Sequence, residues 1–114
     1  MRDVTYIEIA PLSTIPAGEG IRVVPEGEVP IAVFHTEDGE VLAIDDTCTH
    51  QEAPLSQGWL EGCQIECPIH GAAFDLHTGA PTLPATRPVR THTVEVRDGV
   101  VFVQLSEAAP NLPL

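Results

Sequence analysis

Short runs rich in β-branched residues dominate the chain: Tyr6 to Ile9, Ile21 to Val24, Ile31 to Phe34, Val41 to Ile44, Val89 to Val96 and Val100 to Leu105. Each is bounded by Gly or Pro, which predicts strands rather than helices. Glu37-Asp38-Gly39 and Asp98-Gly99 carry the turn chemistry of hairpins, so the third and fourth runs, and the last two, are expected to pair antiparallel. Between the outer runs lies a segment from about 46 to 84 whose own strands, near Gln64 to Glu66 and Ala72 to Leu76, are short. The pattern predicts an all-β, single-domain chain over 1–114, an antiparallel β-sandwich with a small inserted subdomain. Ala53 to Gln57 has room for one helical turn, but eleven prolines and nine glycines leave little space for longer helices. No internal repeat is evident, and the tail over 108–114, with Pro110 and Pro113, is expected to be loose.

The inserted segment holds the chemistry. Cys48-Thr49-His50 and, after sixteen intervening residues, Cys67-Pro68-Ile69-His70 each offer one thiolate and one imidazole. Those are ligands for zinc or iron–sulfur centres, and the chain has only three cysteines and five histidines to draw on. A Cys2His2 zinc finger groups a Cys pair before a His pair, whereas here the types alternate. Alternation suits a two-iron centre, with the cysteines on one iron and the histidines on the other.

The stretch Cys48 to Asp75, about a quarter of the chain, resembles the cluster-binding region of Rieske [2Fe–2S] proteins. The likeness extends beyond the ligands to Ala53, Leu55, Ser56 and Gly58 in the first loop and to Pro68, Gly71, Phe74 and Asp75 in the second. It implies one [2Fe–2S] cluster held by Cys48, His50, Cys67 and His70. Neutral histidines in place of two thiolates raise the reduction potential above that of an all-cysteine cluster. Hydrogen bonds to the sulfurs then tune it.

Two departures from the high-potential members of that family point to the low end of its range. Their serine and tyrosine hydroxyls, which bond cluster sulfur, are replaced here by Ala72 and Phe74; their loop-tying disulfide falls at Ala53 and Ile69. Cys63 is left without a disulfide partner and reads as a small, partly buried residue at a strand start. The resemblance also places a covering loop beside the cluster, at Ala80-Pro81-Thr82-Leu83-Pro84. An ordinary connection is an equal reading of those prolines.

Charge and length narrow the function. A net charge of −12, with five basic against seventeen acidic residues, argues against nucleic acid as a partner. It suits docking onto a basic protein surface, with Glu52, Glu61 and Glu66 nearest the loops. No run of eighteen apolar residues and no basic stretch leading into an apolar one is present, so neither a membrane anchor nor a secretory signal is expected. The chain is too short to hold a flavin domain as well, and its strong ligands leave none for an oxygen-activating iron, so it is expected to be no enzyme itself. His35, His77 and His92 read as structural or surface residues and Trp59 as packing beneath the loops.

The resemblance therefore implies a cytoplasmic, monomeric Rieske ferredoxin of an aromatic-ring-hydroxylating dioxygenase system of the biphenyl, naphthalene or phenylpropionate kind. Such a carrier takes electrons from an NADH-dependent flavin reductase and gives them to the terminal oxygenase. A Rieske small subunit of a nitrite or arsenite system, or a zinc-stabilised interaction module, are the alternatives.

Overall fold

The computed structural model describes residues 6–69 and 71–112. Its strands are β1 (Ile7–Pro11), β2 (Glu19–Val23), β3 (Ile31–His35), β4 (Val41–Asp45), β5 (Trp59–Glu61), β6 (Gln64–Glu66), β7 (Ala73–Asp75), β8 (Thr91–Arg97) and β9 (Val100–Gln104), with 3-10 turns at Leu12–Thr14 and Leu55–Gln57. Six strands form one antiparallel sheet in the order β1-β9-β8-β4-β3-β2, and the inserted segment forms a second sheet in the order β5-β6-β7. The predicted runs thus become strands within a residue or two, and β5 is an addition.

Strand β8 makes the large sheet fold over on itself. Its first residues, Thr91 and His92, pair with β4, and Thr93 to Arg97 then pair with β9. Val101 and Val103 of β9 share a buried cluster with Ile31 and Val33 of β3, although two strands separate β9 from β3 in the sheet. In a flat sheet those side chains would lie roughly 14 Å apart, so the sheet curls and its halves face each other like a sandwich.

Strand β3 explains why the chain needs a continuous apolar run there. Ile31 and Val33 point into the core between the sheet halves, while Ala32 and Phe34 point the other way, into a second core shared with Leu55, Ile65 and Phe74 of the inserted segment. A strand buried on both faces carries apolar residues at every position. The Asp98-Gly99 turn has both residues at positive φ, 51° and 77°, the conformation that lets a two-residue loop match the twist of β8 and β9.

Asp45, at the end of β4 and 2% exposed, ties that end to the start of β8. Its carboxylate accepts from Arg90 Nε at 3.1 and 3.2 Å, from an Arg90 terminal nitrogen at 3.1 Å, and from His92 Nε2 at 2.9 Å. Ser106 N–H donates to His92 Nδ1, so the imidazole carries its proton on Nε2 and donates it to Asp45. The tail, expected to be loose, is held in its described part: Arg90 donates to the Ala108 carbonyl at 2.6 Å and Asn111 to the Pro88 carbonyl at 3.0 Å. Residues 113–114 lie outside the described residues.

Candidate metal centre

Two turns bring the cysteines together at the junction of the sheets. Cys48 N–H donates to the Ala53 carbonyl at 3.0 Å, closing the first loop, and Cys67 N–H donates to the Ala72 carbonyl at 2.6 Å, closing the second. Both cysteines are completely buried, their side chains meet, and neither is in a disulfide. His50 is half-buried on the first loop. His70, the remaining ligand expected from the sequence, lies outside the described residues.

Buried side chains hold the first loop in place. Asp46, 1% exposed, accepts from both the backbone N–H and the hydroxyl of Ser56 and pairs with Arg22 of β2 at 3.0 Å. Thr49, 4% exposed, donates its hydroxyl to the Arg87 carbonyl, while Arg87 donates back to the Thr49 carbonyl at 3.1 Å. The sequence pattern did not single out Asp46, Thr49 or Arg87 for this role. Gly58 is needed for a close approach, since a Cβ there would sit 1.9 Å from the Glu66 carbonyl oxygen.

The second loop is framed by β6, β7 and the proline segment. Glu66 pairs with Ala73 and with Trp59, and the segment 80–82 runs alongside β7: Asp75 N–H reaches the Ala80 carbonyl at 2.9 Å and Thr82 N–H the Ala73 carbonyl at 2.8 Å. Ala72 and Phe74 are fully buried and bring no hydroxyl to the sulfurs. Burial, first of all, pushes the Cys67 thiol up to about 11, with Cys48 and Glu66 adding to the rise. Two buried thiols in contact and in no disulfide fit a metal centre, which would supply the positive charge that offsets the burial of two thiolates.

The remaining candidates fall out differently. Trp59, expected beneath the loops, is 61% exposed, because Leu60 takes the inward position on the three-residue edge strand β5 and turns its neighbours outward. Ile69 and Leu83 are also exposed, at 38% and 79%, as are Glu52, Glu61 and Glu66. His35 faces the Ile15 carbonyl at 2.7 Å and His92 belongs to the Asp45 cluster, as structural residues. Cys63 is half-buried in the β5–β6 turn; His77 sits beyond β7, where its Nε2 meets Glu40 at 2.9 Å.

This arrangement of curled sheet and inserted three-stranded sheet carrying two cysteine loops defines an iron–sulfur protein. Residues 5–93 match the Rieske [2Fe-2S] domain, and the chain belongs to that family and carries a [2Fe–2S] cluster. It is 41% identical over 106 residues to the 3-phenylpropionate/cinnamic acid dioxygenase ferredoxin subunit of Escherichia coli K12, covering 91% of this chain and 97% of that one. Among solved structures, a chain of the complex of reduced oxygenase and oxidized ferredoxin in carbazole 1,9a-dioxygenase superposes with a TM-score of 0.86 at 38% identity, covering 94% of this chain and 99% of that one. The ferredoxin of carbazole 1,9a-dioxygenase from Nocardioides aromaticivorans IC177 gives a TM-score of 0.83 at 34% identity, covering 90% and 99%. The family match weighs against a zinc-stabilised module without electron chemistry.

Proposed function

We propose that this protein is the ferredoxin of an aromatic-ring dioxygenase system, taking single electrons from an NADH-dependent flavin reductase and delivering them to the terminal oxygenase. The observation that carries this reading is the pair of fully buried, unbridged cysteines at the junction of the two sheets, in a chain that matches ferredoxin subunits over nearly their whole length. Cys48 and Cys67 hold one iron, His50 and His70 the other. When bound, the cluster takes up and gives back one electron.

The chain's residues then set where and how readily that happens. Apolar side chains around Cys48 and Cys67 keep water from the sulfurs on the buried side, and the proline segment, which runs alongside β7, would cover another flank. Ala72 and Phe74 withhold the hydroxyl hydrogen bonds that would stabilise the reduced state, which keeps the potential low in the Rieske range of about −150 to +300 mV. Exposed Trp59, with Glu61 and Glu66 beside it, and exposed Ile69 on the second loop supply apolar contact with acidic surroundings for the redox partners. The carrier works as a monomer in the cytoplasm. No helix among the described residues is long and apolar enough to cross a membrane.

Metal analysis and visible spectroscopy of the purified protein test the reading. Two irons per chain and a red-brown spectrum are expected, lost in His50→Ala and His70→Ala. A colourless protein with one zinc, or a His70→Ala variant with an intact spectrum, would overturn the ligand assignment. Reduced protein mixed with an aromatic-ring oxygenase should be reoxidised as the oxygenase is reduced, and failure with every such oxygenase tested would overturn the partner assignment.

A further inference from the structure

Away from Cys48 and Cys67, three segments converge on a second group of metal-ligating side chains. Glu40 ends the β3–β4 turn, Cys63 sits in the β5–β6 turn, and His77 follows β7. One ligand atom from each lies within 4.8 Å of the other two. Glu40 Oε1 is 3.1 Å from Cys63 Sγ, and the Glu40 carboxylate is 2.9 and 3.1 Å from His77 Nε2. Zinc bonds of about 2.0–2.3 Å in a tetrahedron separate donor atoms by roughly 3.3–3.7 Å. Small side-chain shifts therefore take these donors into a coordinating arrangement.

We infer that Glu40, Cys63 and His77 form a second metal site, which takes a zinc-class divalent cation through one carboxylate oxygen, one sulfur and one imidazole nitrogen.

The surroundings support a cation. His77 Nδ1 lies 3.7 Å from Asp75 Oδ1, which sets a carboxylate on the ring nitrogen facing away from the site. That distance is longer than a hydrogen bond, but a small turn of the ring would bring Nδ1–H onto Asp75, the kind of partner that orients a ligating histidine. Asp75 is itself fixed by the backbone N–H groups of His77 and Thr78. The carboxylate of Asp38 adds negative charge near Cys63. The backbone is braced as well, since Leu76 N–H donates to the Cys63 carbonyl at 2.8 Å and the Thr36 hydroxyl accepts from Glu40 N–H at 3.0 Å.

Binding breaks the Cys63 S–H bond and forms a metal–sulfur bond, with that proton released to solvent; the Nε2–H bond that His77 directs at Glu40 breaks as well, its proton moving by way of solvent to Nδ1, on the side of Asp75, so that the Nε2 lone pair meets the metal. Thiolate with imidazole selects zinc over magnesium or calcium. Glu40 and His77 are exposed enough for the ion to enter, and water completes the coordination. The ion would clip the inserted sheet to the β3–β4 hairpin of the large one, a structural role separate from electron transfer.

The test uses the cluster-loaded protein, dialysed against micromolar zinc chloride and assayed for both metals. One zinc beside two irons per chain is expected, with an unchanged visible spectrum and one sulfur ligand in zinc-edge X-ray absorption. Cys63→Ser and His77→Gln should each weaken zinc retention by more than the ~10-fold that loss of a supporting contact costs, with iron content unchanged. Zinc should raise the melting temperature of the wild type and not that of the double variant. Failure of the wild type to retain zinc, equal retention by the double variant, or zinc gained only as iron is lost would each overturn the site.

Discussion

Replacing Asp45 by Asn removes one buried charge while keeping the side chain's shape. In the native fold Asp45 and Arg90 have side chains 2% and 7% exposed, and His92 donates to the same carboxylate from a fully buried ring. Asn retains one acceptor oxygen but turns an NH2 group toward donors of Arg90 or His92, and it leaves a buried guanidinium without its counter-charge. Removing one partner of a buried pair costs about 3–5 kcal/mol. Arg90 keeps its bond to the Ala108 carbonyl, so the lower end, ~3 kcal/mol, is expected. For a chain of this length that corresponds to a melting temperature lower by roughly 10–15 °C.

Asp46→Asn supplies the comparison. Asp46 is equally buried, but its Arg22 partner has a side chain 46% exposed and can turn to water, so a loss of only ~1 kcal/mol is expected. Both are read from unfolding of the cluster-loaded protein at a fixed scan rate, because loss of the cluster makes unfolding irreversible. A melting temperature lowered by less than ~4 °C for Asp45→Asn, or by no more than for Asp46→Asn, would refute the reasoning that burial of the cation decides the magnitude.

Ala72→Ser with Phe74→Tyr should raise the midpoint potential. A hydrogen bond to a charged acceptor is worth ~1.5–3 kcal/mol, so each hydroxyl contributes tens of millivolts to about a hundred, and voltammetry without an upward shift would contradict the account. Gly58→Ala forces a Cβ to within 1.9 Å of the Glu66 carbonyl; a cost above ~3 kcal/mol and poor cluster loading are expected, and wild-type iron content and melting would refute it. Trp59→Ala should slow electron transfer to an oxygenase without changing potential or melting temperature, and an unchanged rate would remove Trp59 from the docking surface. If the acidic rim contributes, that transfer weakens as salt is added, and a rate insensitive to ionic strength would leave docking to the apolar residues alone.

The strands of the large sheet were legible because each is a run of β-branched residues ended by Gly or Pro, although the burial of β3 on both faces emerged only in the fold. Strand β5 left no such trace, since three residues carry no period of their own and become a strand only by pairing with β6. Trp59 was misplaced for the same reason: its size suggested burial, but position on an edge strand decided its direction. The ligand loops were visible through local spacing. The clusters at Asp45, Asp46 and Glu40 were not, because their members lie 24 to 47 residues apart for the ion pairs Arg22–Asp46 and Asp45–His92 and 37 for Glu40–His77. Only the folded topology joins them.

The reciprocal bonds between Thr49 and Arg87, with Asp46 gripping Ser56, fasten the first cysteine loop on both sides. A nest fastened in this way has little freedom to relax when an electron arrives or departs. The protein's share of the reorganisation energy is therefore expected to be small, which would leave the speed of each transfer to tunnelling distance and to the encounter with the partner. Loosening the strap, for example with Thr49→Val, would slow the electron even where the driving force stayed the same.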